Sequence, residues 1–131
     1  MSGRHVLTMN LKGDPGIVER YTHLHRDVWP EVQASLRQAG VERMDIYLLG
    51  RCLVMVLEMR DGLDYREAFA AHESSSQRVA EWERLMKSLQ EPAAEARADE
   101  WWAAMEPVFH LNQDAAEEPA IAHVADRSRT F

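Results

Sequence analysis

Apolar and polar positions along this chain alternate with two different periods, and each change of period marks a predicted element. Residues 5–11 form a short apolar and β-branched run that predicts a strand, and the breakers at 12–16 predict a turn. From residue 17 onward, apolar residues recur every three or four positions, which predicts an amphipathic helix. The recurring residues are Ile17, Tyr21, Leu24, Val28, Val32 and Leu36.

Pro30 divides this helical pattern into two pieces. A proline inside a helix cannot donate to the carbonyl group four residues back, and it moves the preceding residue away from helical angles. We therefore expect Pro30 to be the first residue of a second helix, with Glu31 favoured by the dipole at that N-terminus. Gly40 is expected to end this second helix.

The second half of the chain repeats the order of strand and helix. Residues 41–49 and 52–59 read as two strands, and Gly50-Arg51 between them predicts a tight hairpin. Asp64 and Glu67 resemble a capping box that opens a helix through residue 72, and serines 74–76 introduce another helix. Residues 91–100 predict a loop or a frayed turn, and residues 105–111 predict the last strand.

The order strand, helix, strand, strand, helix, strand is that of the α+β class with a ferredoxin-like split βαβ sandwich. Helices in this arrangement cover one face of an antiparallel sheet. The other face would remain as an exposed apolar patch, so we expect two copies to pack sheet on sheet as a homodimer. Residues 1–111 are expected to form this domain. Residues 112–131 are expected to be a C-terminal tail that is flexible or packs on a partner subunit.

Composition and charge narrow the class of protein. With 131 residues, of which 46% are hydrophobic, the chain can bury a core without disulfides. Its one cysteine, Cys52, excludes an intrachain disulfide and a cysteine-based zinc site and fits a reducing compartment. No apolar stretch is long enough for a signal peptide or a membrane span, so we expect a cytoplasmic protein without a membrane partner. A net charge of -7 without a basic stripe argues against nucleic acid as a partner.

Tyr21 and His25 are the first candidates for chemistry. Residues four apart lie on one helix face, so a phenol and an imidazole can converge on one small molecule. A histidine titrates near neutral pH and can act as acid or base, while the tyrosine hydroxyl can bind substrate or relay a proton. The residues alone also allow a second interpretation, in which both are amphipathic residues at the margin of the core.

Other chemistries find little support in the sequence. His23 and His25 point in different directions on a helix, and the remaining histidines have no ligand spacing, so we expect no metal site. The chain contains no glycine-rich phosphate loop, no nucleophile elbow and no Cys-His signature. Trp29 is either a core anchor or a surface on which a sugar can stack, and Trp82, on the apolar stripe of its helix, is expected to pack in the core.

Residues 21–31 contain the motif Tyr-x-x-x-His-x-x-x-Trp-Pro-Glu, and this stretch, with Gly40 before residues 44–48, resembles the L-rhamnose mutarotase family. The resemblance continues through residues 77–86 and 105–111 and covers most of residues 5–111. It implies a cofactor-free, dimeric α+β barrel enzyme, an isomerase that interconverts the α and β anomers of L-rhamnose or a related 6-deoxyhexose such as L-fucose. It also implies that His25 is the proton donor and Tyr21 the substrate-binding tyrosine.

The sequence departs from this family at two positions. A sugar-binding tyrosine of the family corresponds to Met44, which has no hydroxyl, and the adjacent tryptophan pair of the second helix corresponds to Trp82-Glu83. Because a carboxylate is a good partner for sugar hydroxyls, we expect Glu83 to replace what the exchange removed. The expected substrate-binding residues are Tyr21, Met44, Trp82, Glu83, Trp29 and Trp102, with Trp101 as the alternative to Trp102.

Two other functions remain open at this point. Dimeric ferredoxin-like barrels also include cofactor-independent monooxygenases and decyclases that act on apolar aromatic substrates, and the chain could instead be a non-catalytic sugar-binding module. The lining of the pocket distinguishes the two enzyme classes. A carboxylate such as Glu83 favours a sugar, whereas Met44, Met55 and tryptophan without an acid favour an aromatic substrate.

Overall fold

A computed structural model describes residues 3–111, and in this range four helices cover one face of an antiparallel sheet. The tail predicted at residues 112–131 lies outside the described residues. The strands are β1 (Gly3–Leu11), β2 (Val41–Leu49), β3 (Cys52–Met59), β4 (Gln90–Glu91) and β5 (Ala103–Ala104). The helices are α1 (Ile17–His25), α2 (Pro30–Gln38), α3 (Tyr65–Glu73) and α4 (Gln77–Leu89).

The sheet has the order β2-β3-β1-β4, and β5 also pairs with β1. Strand β3 lies between β1 and β2 and is antiparallel to both. The segment with α1 and α2 therefore connects β1 to β2, which are separated by β3 in the sheet. Strands β4 and β5 both add to the outer edge of β1, opposite Leu11 and Leu7 respectively. This is the predicted split βαβ arrangement, and the predicted fold class is confirmed.

The proline break is also where the sequence predicts it. Helix α1 ends at His25, and Pro30 is the first residue of α2. Trp29 has the extended angles φ -54° and ψ 134°, as expected for a residue before proline. The break directs α1 and α2 separately over the sheet, and Tyr21 and His25 lie in the last part of α1.

Short-range signals set the remaining helix boundaries. Gly40 has φ +105°, and a Cβ there would collide with the side chain of Leu63, so this position between α2 and β2 requires glycine. Asp64 caps α3 by accepting a hydrogen bond from the backbone N–H of Arg66 at 2.9 Å. Ser76 caps α4 in the same way.

The core lies between the helices and the sheet face that they cover. Alternate residues of β1 and β3 point to this face and are buried, because successive side chains of a strand point to opposite sides. Two clusters share the space. The first contains Met9, Leu11, Tyr21, Val32, Leu53, Val79, Trp82, Met86 and Leu89. The second contains Leu7, Met55, Leu57, Met59, Tyr65 and Ala68.

The opposite face of the sheet has no helix against it within the described residues. The intervening residues of β1, β2 and β3 point there, and Val6, Val54 and Val56 are only half-buried. Tyr47 and Leu49 from β2 are 59% and 85% exposed. We call this surface the open sheet face.

The last strand differs from the prediction. Residues 105–111 form no strand, and the strand is instead the two residues of β5. Met105 donates one further backbone hydrogen bond to Val6 at 2.8 Å, and the chain then leaves the sheet. Pro107 has no N–H to contribute to a ladder, and Val108 is 96% exposed. Beyond Met105, the apolar run that suggested a strand therefore continues without sheet pairing among residues 3–111, and Val108, Phe109 and Leu111 are exposed.

Candidate active site

A cavity of about 610 Å³ lies between the four helices and the covered face of the sheet. Tyr21 and His25 of α1 line it, together with Trp82 and Glu83 of α4. Met44 of β2 and Trp102 also contribute to its wall. Five of the six predicted substrate-binding residues, and both predicted catalytic residues, therefore line one cavity.

Tyr21 and His25 are stacked on each other inside this cavity. Their ring centroids are 4.1 Å apart with an angle of 28° between the planes, as the four-residue spacing predicts. The Nδ1 atom of His25 is 2.9 Å from the backbone oxygen of Tyr21. Because a carbonyl oxygen only accepts, Nδ1 carries the proton of the neutral ring, and Nε2 is left with a free lone pair.

Burial sets the protonation of both residues. Burial lowers the pKa of His25, and the hydrogen bond to the Tyr21 carbonyl opposes this only in part. Burial raises the pKa of Tyr21 to about 12, against the effect of a hydrogen bond from the Gln90 side chain and with a further contribution from the negative charge of Glu83. Near neutral pH the site therefore presents an unprotonated imidazole nitrogen beside a protonated phenol.

Trp82 joins this pair to a second aromatic residue outside the cavity. The indole of Trp82 is 4% exposed and meets the His25 ring edge-on at 5.5 Å. Trp29 contacts Trp82 edge-to-face at 5.1 Å, and the Arg78 guanidinium lies over the Trp29 ring, 3.5 Å from its centroid. Trp29 is the one predicted binding residue that does not line the cavity. Trp101, the alternative to Trp102, does not line it either.

Glu83 lies on the cavity wall and contacts a buried histidine. One carboxylate oxygen is 3.4 Å from Nε2 of His72, a residue of α3 that is 4% exposed. Glu83 thus places a carboxylate on the wall of the cavity. Met44 lies on β2, where its half-buried side chain gives the cavity an apolar surface.

Sequence reasoning missed Gln90 and His72. Gln90 is 5% exposed and hydrogen-bonds Tyr21, but a polar residue directly after a helix gives no sign that it is buried. His72 did carry a signal. It continues the buried stripe of Tyr65 and Ala68 at a spacing of three and four residues, so its position on an apolar helix face was readable from the sequence.

The described residues give no indication of a metal centre or a membrane segment. No three His, Cys, Asp or Glu side chains among residues 3–111 form a group that could hold a metal ion. No helix in that range is long and apolar enough to cross a membrane.

Comparison with known proteins links this chain to one family. The sequence model described as L-rhamnose mutarotase matches residues 4–111. The chain is 34% identical over 117 residues to an L-fucose mutarotase of Xanthomonas campestris pv. campestris, covering 87% of this chain and 92% of that protein. It is 27% identical to an L-rhamnose mutarotase of Acidiphilium cryptum, with 84% and 85% covered. The crystal structure of an L-rhamnose mutarotase from Formosa agariphila superimposes with a TM-score of 0.59 at 19% identity, covering 85% of this chain and 100% of that one.

Proposed function

Because this chain belongs to the L-rhamnose mutarotase family, we propose that it is an isomerase that interconverts the α and β anomers of L-rhamnose or a related 6-deoxyhexose such as L-fucose. The observation that most supports a chemical role for the cavity is the stacked pair of Tyr21 and His25. A neutral imidazole nitrogen and a protonated phenol next to each other are suited to moving protons on a sugar.

Mutarotation requires ring opening, rotation and reclosure. Nε2 of His25 takes the proton of the anomeric hydroxyl, and the C1–O5 bond breaks with its electron pair moving to O5, which takes a proton from a second group that acts as the acid. The phenol of Tyr21 donates a hydrogen bond to the sugar and orients it. After the aldehyde rotates about C1–C2, O5 attacks its other face and returns its proton to the acid, and His25 returns a proton to the anomeric oxygen. His25 is thus a base during opening and the proton donor during closure.

The remaining lining residues are suited to binding a deoxysugar. The indoles of Trp82 and Trp102 offer flat apolar surfaces to the C–H face of a pyranose. The Glu83 carboxylate can accept hydrogen bonds from hydroxyl groups. Met44 offers an apolar surface where the family has a phenol, so we expect the pattern of recognised hydroxyls to differ from that of L-rhamnose mutarotases.

The rival enzyme class receives less support from the cavity. A pocket for an apolar aromatic substrate was expected to contain Met44 and Met55 without an acid. Both methionines line the cavity, but so do Glu83 and the buried amide of Gln90. Polar groups at this depth favour a substrate with many hydroxyls, because an apolar ligand would leave them without partners.

Exchange NMR on the anomeric protons tests the proposal with the wild-type protein. L-rhamnose and L-fucose are compared with L-mannose and L-galactose, which are the same two sugars with a hydroxyl added at C6. We expect faster anomer exchange for at least one deoxysugar and a smaller effect on its hydroxylated counterpart. No acceleration of any of the four sugars would refute the assignment and leave the monooxygenase or decyclase class and the non-catalytic module as the alternatives.

We also propose that the enzyme acts in the cytoplasm as a homodimer that packs open sheet face on open sheet face. Tyr47 and Leu49 are highly exposed on that face, and a second copy would bury them. Val54→Lys places a charge in the middle of the face and is expected to shift the sedimentation coefficient from dimer to monomer. Glu19→Lys, on the exposed side of α1, is the control. A wild type that sediments as a monomer at micromolar concentration would contradict the dimer.

A further inference from the structure

At the wall of the cavity, His72 takes part in a polar network with the side chains of Ser35, Ser75 and Glu83. Nδ1 of His72 is 2.8 Å from Oγ of Ser35, and that hydroxyl is 2.9 Å from Oγ of Ser75. Ser75 in turn donates to the backbone oxygen of His72 at 2.7 Å. On the other side of the ring, Nε2 is 3.4 Å from the Glu83 carboxylate.

The directions of these hydrogen bonds follow from the number of available protons. Each serine hydroxyl has one proton to donate. Ser75 uses its proton on the carbonyl oxygen, so Ser35 must donate to Ser75, and Nδ1 of His72 must then donate to Ser35. The proton of a neutral imidazole is therefore on Nδ1, and Nε2 would face Glu83 with a bare lone pair.

A bare nitrogen lone pair beside a carboxylate is repulsive, and water screens this contact only in part, because His72 is 4% exposed and the Glu83 side chain 24% exposed. The contact becomes attractive when one additional proton lies between the two groups. Imidazole is the stronger base in water, so the proton belongs on Nε2 and the pair is an imidazolium with a carboxylate. Such a pair satisfies every member of the network.

We propose that His72 and Glu83 hold one shared proton and form the second acid–base unit of the cavity, which protonates the sugar ring oxygen as the ring opens. This inference rests on the proposed mutarotase function. The proton leaves through the Glu83 carboxyl to O5 as the C1–O5 bond breaks, which leaves neutral His72 and ionised Glu83. On closure O5 gives the proton back as it attacks C1. Glu83 is the group that touches substrate, and His72 is its positioning residue.

The other groups that line the cavity are less suited than this pair to protonate the sugar ring oxygen. Tyr21 holds its proton too tightly to be a strong acid, and its phenol lies within range of the Glu83 charge. His25 begins the cycle without a proton to give from Nε2. Among the other charged residues that line the cavity, Glu73 is half-buried and pairs with Lys87. The rest are exposed, and they are Arg26, Asp27, Arg37, Glu42 and Arg43. Among the described residues, the pair is thus the acid that is both shielded and in contact with the cavity.

Nitrogen-15 NMR of the histidine rings tests the shared proton without any activity measurement. The His72 signals are identified by their loss in His72→Gln. We expect protons on both ring nitrogens in the wild type at neutral pH, and loss of the Nε2 proton in Glu83→Gln. An unprotonated Nε2 in the wild type would overturn the proposal.

The pH profile of sugar exchange tests the catalytic role. We expect the wild-type rate to fall at alkaline pH as the pair loses its proton. Glu83→Gln is expected to lower the rate about 10²–10⁴-fold and to remove this alkaline decline. Glu81→Gln, on the exposed side of the same helix, should keep both the rate and the decline. An unchanged alkaline decline in Glu83→Gln would refute the role.

The two proposals can fail separately. If no sugar is accelerated by the wild type while His72 keeps both protons, the mutarotase function fails and with it the catalytic role of the pair. If sugars are accelerated but Nε2 of His72 carries no proton, only the acid–base pair fails.

Discussion

Replacing Tyr21 by phenylalanine should change the difference in stability between the two proteins as the pH rises from neutral to alkaline. Tyr21→Phe removes one oxygen and keeps the ring that stacks on His25 at 4.1 Å. At neutral pH the change takes away the partner of the Gln90 side chain, which is 5% exposed. A buried polar group without a partner costs about 1–3 kcal/mol, so the variant should be less stable by about that amount.

At alkaline pH the ionisation of the same hydroxyl lowers the free energy of unfolding of the wild type. Burial raises the pKa of Tyr21 from 10.0 to about 12 in the folded protein. A group with a raised folded pKa contributes stability below its unfolded pKa, and this contribution is lost as the pH rises through the window from 10 to 12. Two pKa units at about 1.4 kcal/mol each correspond to about 3 kcal/mol. Tyr21→Phe has no such proton to lose.

Urea denaturation of both proteins at several pH values provides the assay. Each free energy of unfolding is compared between wild type and variant at the same pH, which cancels the titration of the other tyrosines and lysines. We expect the wild type to be the more stable protein at pH 7, and we expect this advantage to shrink by about 2–3 kcal/mol as the pH rises to 12. A constant difference across this range would refute the argument that Tyr21 is desolvated by burial.

Three further predictions concern the site and the fold. Since burial lowers the pKa of His25, wild-type exchange activity should persist below pH 6.5, whereas a decline centred at 6.5 would show a solvent-exposed ring. Trp102→Ala should raise the KM for sugar about tenfold, equal to about 1.4 kcal/mol, whereas Trp101→Ala should leave the KM unchanged. The same change in KM for both variants would show that Trp102 does not belong to the site. Gly40→Ala should lower the free energy of unfolding by more than Gly16→Ala does. Both positions have positive φ, but only at Gly40 would the added Cβ also collide with a side chain, that of Leu63. Equal losses of stability in the two variants would contradict this collision.

The sequence predicted those elements whose causes are local. Pro30, Gly40, Asp64 and Ser76 act within one or two turns of the chain, and each marks a boundary in the structure where it was expected. The stacking of Tyr21 on His25 is equally local, because it depends on a four-residue spacing within one helix.

The features that the sequence did not predict depend on long-range neighbours. The apolar run from Met105 to Leu111 has the composition of a strand, but pairing stops after one further hydrogen bond to β1. Gln90 is buried because β4 lies beside Leu11, and His72 meets Glu83 because α3 packs against α4. None of these contacts could be inferred from neighbouring residues.

The anomer exchange rate of a His25→Ala variant, set against that of His23→Ala, tests the central claim most directly. Both changes remove a histidine from α1, but His23 is exposed and does not line the cavity. Exchange NMR on the preferred deoxysugar should show a loss of about 10²–10⁴-fold for His25→Ala and a wild-type rate for His23→Ala. Equal rates for the two variants would contradict the role of His25 as the base that opens the sugar ring.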